Sequence, residues 1–588
     1  MKKIHLYIAS LIMAATFTAC SVDDVKPQGM LDQETAFQNA DKVLVAAYAA
    51  MGDDWYSYPF NLWPYGDMSA DDCYKGGSGL GDTGYHPMEV FSSLTNDRGE
   101  FDELWYRLYV AISRCNNVLS AVKQAPEGQN LTQIEAEARF LRAHFYYKLQ
   151  QMWYEVPLVK EGMDNATVEA TKQSTHAEVM QFLVDEFEFA YKNLDYSEPG
   201  KTGRATKNAA AAYLAKVYLN WAYGDGYESN TGYGHIDKDK MTLAKNYAED
   251  ALTSGKGGTN YVYDLNADFG DAFMQGNKNS KESIFAVQHS DKADDGTQFG
   301  RGNWSNMLNG CWGIWSCGWD FHKPSQNLVN AFKTKNGLPM FDDYNDDHNT
   351  YPVNGATTGQ MWDPRLFHTV GMPTFPYKYE TSYVVDGQTR SLVLTMDNSR
   401  NPADYGYYTS MKEVPQRSNG ETYDNPWQAF SMNDYVFRAS DVMLMLAEAY
   451  IELNEPKKAL QLVNKIRLRA KDSVKKYISY AAEQCEIIEY PDDAFENKDY
   501  ARKALRWERR LELAMEGHRF FDLRRWGMLS STLNNEYFPV EKESKYEGKA
   551  YASYLGGAHF TKEKNEYFPI ASNQINYVPG LYHQNKGY

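Results

Sequence analysis

The sequence predicts a mostly α-helical protein: a scaffold of paired helical repeats interrupted by a long, irregular, loop-rich insertion carrying short strands. Three observations lead there. Apolar residues recur at helical spacing over about 35–255 and again over about 431–530. A turn suited to a helical hairpin sits inside the second stretch. Between them, about 256–430 is dense in Gly, Asn, Asp and aromatics and has little helical period, apart from short pieces such as SQNLVNAF.

The first twenty residues, MKKIHLYIASLIMAATFTAC, combine the charged Lys2 and Lys3, an apolar run from Ile4 to Phe17 and a small-residue site at Ala19-Cys20. That is the pattern of a secretory signal. A cysteine at the cleavage point resembles a bacterial lipobox, so 1–19 reads as the signal peptide and Cys20 as the acylated first residue of the mature chain. Acyl chains bury roughly 0.8 kcal/mol per methylene in a bilayer, so several chains anchor stably. The stretch Ser21-Val22-Asp23-Asp24 resembles the acidic tag that sends such lipoproteins to the outer cell surface. Residues 20–588 read as a single domain, attached to the membrane by the lipid alone.

Helices are expected from about Asp41 to Met51, at LWYRLYVAISRCNNVLSAV, and at IEAEARFLRAHFYYKLQQMWYEVP, the last ended by Pro157. In RATKNAAAAYLAKVYLNWA the apolar stripe is Ala210, Leu214, Val217 and Trp221, and MTLAKNYAEDAL follows after a Gly- and Tyr-rich loop. The hairpin lies at 440–470. Val442, Leu446, Ala449 and Leu453 form one stripe, Asn454-Glu455-Pro456 the turn, and Ala459, Val463, Ile466 and Ala470 the second stripe. Its small residues, Ala447, Ala449 and Ala459, resemble those of a tetratricopeptide unit, where they let paired helices approach closely.

The segment RWERRLELAMEGHRFFDLRRWG, 506–527, resembles the most diagnostic motif of the SusD-like (RagB/SusD) family. Four other segments agree in the expected order: AEARFLRAHFYYKLQQMWYEVPLV, GRATKNAAAAYLAKVYL, FRASDVMLMLAEAYIELNEPKKALQLVNKIRLRA and YFPIASNQINYVPGLYHQNKGY. The resemblance implies a lipoprotein built on tetratricopeptide units that binds glycans and sits as a lid on a SusC-like TonB-dependent outer-membrane transporter. It implies no catalysis. Within the diagnostic helix, Glu508 lies between Ala504 and Leu511 on one stripe, which predicts a buried carboxylate paired with an arginine such as Arg139 or Arg142. A catalytic role for Glu508 and Glu512 would need the pair to face a cleft.

Aromatics make up 14% of the chain, with 45 Tyr and 13 Trp, more than a core needs when every buried phenol or indole must find a hydrogen-bond partner. Sugar rings offer axial C–H faces that lie on indole and phenol rings, while their hydroxyls need Asp, Asn, Gln or Arg at the edge. Two segments carry that mixture. DDWYSYPFNLWPYGDMSADD supplies Trp55, Trp63, Tyr65 and Asp67, with Tyr56 and Tyr58; RGNWSNMLNGCWGIWSCGWDFH supplies Trp304, Trp312, Trp315 and Trp319, with Asp320. Trp55, Trp63, Tyr65, Asp67, Trp304, Trp312, Trp315 and Trp319 are the expected glycan-binding set, and Trp63, Trp304, Trp312 and Trp315 head it. The alternative occupant of each indole is a seam that fastens the insertion to the helices.

Other features exclude more than they suggest. A formal net charge of −18 argues against general affinity for nucleic acid or anionic lipid, which need clustered Lys and Arg. Gly79, Gly81 and Gly84 satisfy G-x-G-x-x-G, but no apolar strand precedes them and no helix pattern follows, so they read as a loop. FDDYNDDHN, with Asp343, Asn345 and Asp347, resembles the start of a calcium loop yet lacks its Gly and distal Glu, leaving calcium open and no other cofactor expected. Cys311 and Cys317 are near enough in sequence for a disulfide, which the sequence leaves undecided. Two other functions fit the aromatic segments: a surface glycoside hydrolase, and a peptide- or glycopeptide-binding lid on the same kind of transporter.

Overall fold

The computed structural model describes residues 39–196, 202–224, 227, 236–253, 262–290, 301–313, 318–356, 358–419 and 430–588. The signal peptide, Cys20, the acidic tag, Trp315 and Cys317 lie outside the described residues.

Ten helices form the scaffold considered below: α1 (Ala40–Ala49), α2 (Gly99–Gln124), α3 (Thr132–Trp153), α4 (His176–Asn193), α5 (Lys207–Ala222), α6 (Lys238–Leu252), α7 (Ala439–Glu452), α8 (Pro456–Asp472), α9 (Lys498–Leu513) and α10 (Arg519–Arg525). From α2 to α8, each packs on the next in order, and α1 lies on α2 and α3. Their starts are encoded locally: the side chains of Asn39, Thr206, Asp237 and Asn497 each accept from a backbone N–H of the first turn of α1, α5, α6 and α9. Pro456 opens α8, as the hairpin turn predicts. All 14 residues of α7 are buried, the signature of a helix at the centre of a layered body.

Contact between α6 and α7 is the decisive feature of the topology. These helices are separated by the whole irregular insertion, yet they pack as consecutive members of the same stack. The insertion is therefore a side branch leaving and rejoining the scaffold at one place. Antiparallel pairing of Ser283–Val287 with Asp434–Arg438 closes its base. Its other strands are short and pair into small two- and three-stranded sheets, including Phe321–Pro324 with Cys73–Gly76. A short helix at Gln326–Ala331 matches the expected SQNLVNAF piece.

Three elements differ from the sequence reading. Helix α3 stops before Pro157, because Tyr154 adopts φ 66° and ψ −68°, a positive-φ turn outside the helical regions that ends the helix three residues earlier. Helix α4 went unanticipated although Thr175 and Glu178 form a complete capping box at its start. The diagnostic segment is two helices instead of one, broken at 514–518 where Met515 and Gly517 take positive φ. That break packs directly on the backbone near Trp63: a Cβ added to Gly66 would stand 2.1 Å from the Gly517 carbonyl oxygen. Glycine is required on both sides of this contact.

Beneath the insertion lies a network of buried ion pairs. Glu512 of α9 pairs with Arg365 of the insertion, Arg438 at the start of α7 and Arg469 of α8. Glu508 pairs with Arg365 at 2.7 Å and Arg467 at 3.1 Å. Glu282 joins Arg438 and Arg469, while Glu516 joins Arg438 and Lys412. Glu508 is thus buried and arginine-paired as expected, but with Arg365 and Arg467. The nominated Arg139 and Arg142 instead pair with Glu135, Glu186 and Glu161, between α2, α3 and α4.

Burial alone would push the Glu512 carboxyl up, but the guanidinium groups of Arg469, Arg438 and Arg365 hold it well below the usual carboxylate range. Removing one partner of such a network leaves uncompensated buried charge. Glu512→Gln is expected to lower the unfolding free energy by about 3–5 kcal/mol at pH 7, measured by urea denaturation. Since the folded carboxyl titrates below its unfolded value of about 4.3, the deficit is full above that pH and shrinks as the pH falls further. A deficit independent of pH between 7 and 3 would contradict this account.

Candidate functional site

The two aromatic segments meet different fates. Trp63 is 2% exposed, lies 4.5 Å from His322 ring to ring, and donates its indole N–H to the Ser305 carbonyl. Tyr65 is fully buried among Tyr85, Phe101 and Phe568. Asp67, also fully buried, accepts from the Gly517 N–H at 2.7 Å and meets His322 Nε2 at 3.0 Å. Glu413 lies 2.6 Å from the other ring nitrogen of His322. Burial disfavours the imidazolium, but Glu413 and Asp67 outweigh it and hold the His322 pKa well above normal. Trp63, Tyr65 and Asp67 are therefore corrected from expected ligand contacts to core residues, because no face of theirs is open to a sugar. They fasten the 61–69 segment to the break between α9 and α10.

Trp304 is also mostly covered, at 8% exposed, stacking on the half-buried Trp55 with ring centroids 4.9 Å apart. The pair is a seam between the N-terminal segment and the insertion. Any sugar contact at this position falls to the partly exposed edge of Trp55 and its neighbour Tyr56, not to Trp304.

Trp312 differs from all of these. It is 39% exposed, and the half-buried Trp319 lies beside it with centroids 6.1 Å apart and planes inclined by 40°. Arg400 lies over both, its guanidinium carbon 5.1 Å from the Trp312 ring and 5.0 Å from Trp319. Such contacts fix the orientation of both indoles from one side. A second set of bonds holds the arginine. Its backbone N–H donates to Asp320 at 2.7 Å, and its Nη1 lies 3.4 Å from Asp82.

Asp320 is fully buried, so it serves as a support and not as the expected hydroxyl partner. Its carboxylate takes both contacts from Lys323 Nζ, at 2.7 and 2.8 Å. The Trp312 carbonyl accepts from Asn398 at 3.0 Å, tying the indole's backbone to the same strand connection as Arg400.

Asp82 belongs to the glycine-rich loop. Desolvation raises its pKa, but hydrogen bonds from the Ser78 N–H and hydroxyl, with Lys75 and Arg400 nearby, lower it overall. Lys75 donates to the Gly79 and Asp82 carbonyls and shapes the loop from beneath. Gly79, Gly81 and Gly84 thus make a loop, as expected, but one that buttresses the aromatic platform. Arg400, Asp82 and Asn398 escaped the sequence reading: Arg400 lies 81 residues beyond Trp319, and no local pattern relates Asp82 to either indole.

The arrangement offers an open indole face, a second indole at an angle, and a rim of guanidinium, carboxylate and amide. What such an arrangement can do chemically is stack against an apolar ring face and hydrogen-bond at its edge. Proton transfer by Glu508 and Glu512 is excluded, since both are fully buried and locked to arginines with no access to a substrate. Of the calcium-like run, Asn345 accepts from Asn330 on the short helix Gln326–Ala331, and Asp347 accepts from Thr350 in the next turn.

Residues 281–588, more than half the chain, match the family model described as the SusD family. The chain belongs to the SusD family. Residues 24–219 match a second model, described as starch-binding associating with outer membrane. A "SusD-like protein" of Bacteroides ovatus is 25% identical over 88% of this chain and 82% of its own length. Among solved structures, a SusD homolog from Bacteroides thetaiotaomicron superposes with TM-score 0.66 at 22% identity, covering 97% of this chain and 99% of that one. Surface glycan-binding protein A from Bacteroides thetaiotaomicron, solved in complex with laminarihexaose, gives TM-score 0.60 at 19% identity, covering 93% and 98%. The SusD-family fold, with its tetratricopeptide-like stack, is the one described above.

The contrast between core and platform indoles is measurable. Trp63→Ala is expected to cost about 3–5 kcal/mol of stability, as for a large aromatic removed from a packed core. Trp312→Ala is expected to cost less than about 1 kcal/mol. Urea-unfolding midpoints of the two variants test this, and equal losses would contradict the assignment.

Proposed function

We propose that this SusD-family protein is a lipid-anchored receptor on the outer face of the outer membrane. It captures neutral oligo- or polysaccharide on the Trp312–Trp319 platform and delivers it to a SusC-like TonB-dependent transporter. It performs no chemistry on the cargo. The observation carrying the reading is the exposed indole of Trp312, held in place by Arg400 and rimmed by groups that can pair with hydroxyls. An aromatic presented this way in a chain of charge −18 suits an uncharged, ring-faced ligand better than a polyanion. Family membership and the laminarihexaose complex of a protein with this fold support carbohydrate as the cargo class. The second family model's description supports association with the outer membrane, and the lipobox-like Cys20 supports the anchor.

Affinity electrophoresis through gels containing laminarin, starch, xylan and mannan tests the reading. At least one polysaccharide is expected to retard the mature chain, with Trp312→Ala losing most of that retardation, about 1–3 kcal/mol or roughly 5- to 150-fold in affinity. The retained glycan is expected to show no new reducing ends after overnight incubation. Retardation unaffected by Trp312→Ala would remove the platform from the account, and new reducing ends would replace the receptor with a hydrolase. Binding of peptides but of none of the polysaccharides would change the cargo class.

A further inference from the structure

A cleft of about 780 Å³ opens far from the platform in sequence, between α2, the 157–169 segment and the C-terminal segment 574–582. Three other cavities between the scaffold and the insertion are smaller: two hold about 70 and 100 Å³, room for a few waters, and one beside α1 holds about 380 Å³. This cleft is within the range of small-ligand sites. Its first wall is one face of α2: Tyr106, Tyr109, Ser113, Asn117, Ser120 and Gln124 recur at three- and four-residue steps. At 1.5 Å per residue that stripe runs for about 27 Å, aromatic at one end and hydroxyl- and amide-bearing at the other.

Two of the most exposed aromatic rings described in the molecule line this space, one on α2 and one on the C-terminal segment. Tyr106 is 55% exposed and Tyr577 is 73% exposed. Solvent-exposed phenol rings are poor core material, and exposure of two on opposite walls of one cleft needs a reason.

The floor is built rather than incidental. Tyr109 donates to the Pro157 carbonyl at 2.8 Å, and Asn116 donates to that of Val159 while accepting from Arg142 at 2.8 Å. The opposite wall is pinned to α2, with Asn573 and Gln574 both donating to Asp102 at 2.7 Å. By contrast, the side chains of Asn117, Ser120 and Gln124 make no hydrogen bond to any described residue. They stand exposed or half-exposed along the stripe. On the 157–169 wall Glu161 is neutralised by Arg142 and Lys123, and Asp164 and Glu169 outnumber Lys160, so the wall offers an anionic occupant no net attraction.

From this we infer that the cleft is a second carbohydrate subsite, in which a neutral oligosaccharide lies along α2 between Tyr106 and Tyr577, its hydroxyls paired with Asn117, Ser120 and Gln124. The inference extends the glycan-receptor reading to a second place on the same molecule. A long glycan, or two chains of one polysaccharide, would then be held at two points, so avidity adds to a modest affinity at each.

Isothermal titration of the mature protein with laminarihexaose, maltohexaose, xylohexaose and mannohexaose tests the inference. Three variants run alongside: Trp312→Ala, the pair Tyr106→Ala with Tyr577→Ala, and the triple combination. The rings are exposed, so the pair is expected to unfold at the wild-type midpoint. For a hexaose that binds, the wild type is expected to take two molecules, Trp312→Ala and the tyrosine pair one each, and the triple variant none.

A single site abolished by Trp312→Ala and untouched by the tyrosine pair overturns the second subsite and leaves the receptor reading standing. A site abolished by the tyrosine pair and indifferent to Trp312→Ala keeps the subsite and overturns the platform. Failure of all four hexaoses to bind sinks the subsite. If the tyrosine pair binds sugar like the wild type but loses co-purification with its transporter, the cleft is a protein contact and the inference is wrong.

Discussion

Glu512 is the point on which the two halves of this protein depend. One carboxylate on α9 meets guanidinium groups from the insertion, from the start of α7 and from α8. Helical repeats need only their neighbours to bury an apolar face, so the stack can propagate with no reference to a side branch of irregular chain. The branch has little regular structure of its own. Beside the apolar core that the two share, what fixes its placement on the stack is a set of buried charges whose partners come from both sides. Such charges are costly unless every one is paired, so they tolerate one arrangement of insertion on scaffold and penalise others.

That constraint matters for recognition because the platform lies on the branch. Trp312 and Trp319 are held by Arg400, Asp320 and Asn398 from the insertion, and by Asp82 from the loop after Cys73–Gly76, which is itself paired in a sheet with Phe321–Pro324. An aromatic face can remain exposed at low cost only if the backbone beneath does not wander. Here the supporting groups are charged or amide side chains already satisfied by one another, leaving the indole face of Trp312 free for a ligand. Preorganisation of this kind reduces the ordering cost that a flexible loop would pay on binding.

The helical architecture was legible because repeats write themselves locally. The stripes at 207–222 and 439–472, the Asn454-Glu455-Pro456 turn and the run of small residues gave helix positions close to those observed. The end of α3 was not legible, since termination by a positive-φ Tyr154 leaves no proline or glycine to see. The α4 helix could have been found from Thr175-x-x-Glu178 ahead of an apolar run, a signal present and passed over. The site was legible as a composition and not as a geometry. Clustered tryptophans marked both segments alike, but the burial of Trp63 is decided by contacts across more than 200 residues, such as Trp63 on His322, and the setting of Trp312 by Arg400 and Asn398. Glu508 shows the same limit: its burial followed from its stripe, whereas the choice of Arg365 and Arg467 followed from the path of the insertion.

The measurement that tests the account most directly is a crystal structure of the mature chain with the hexaose that it binds. The account predicts a pyranose ring lying on the open face of Trp312, with its hydroxyls within hydrogen-bond distance of Arg400, Asp82 or Asn398, and Glu512 still paired with its three arginines. A sugar bound elsewhere with Trp312 bare, or a platform displaced while the buried ion pairs stay intact, would contradict the claim that this network holds a recognition surface in place.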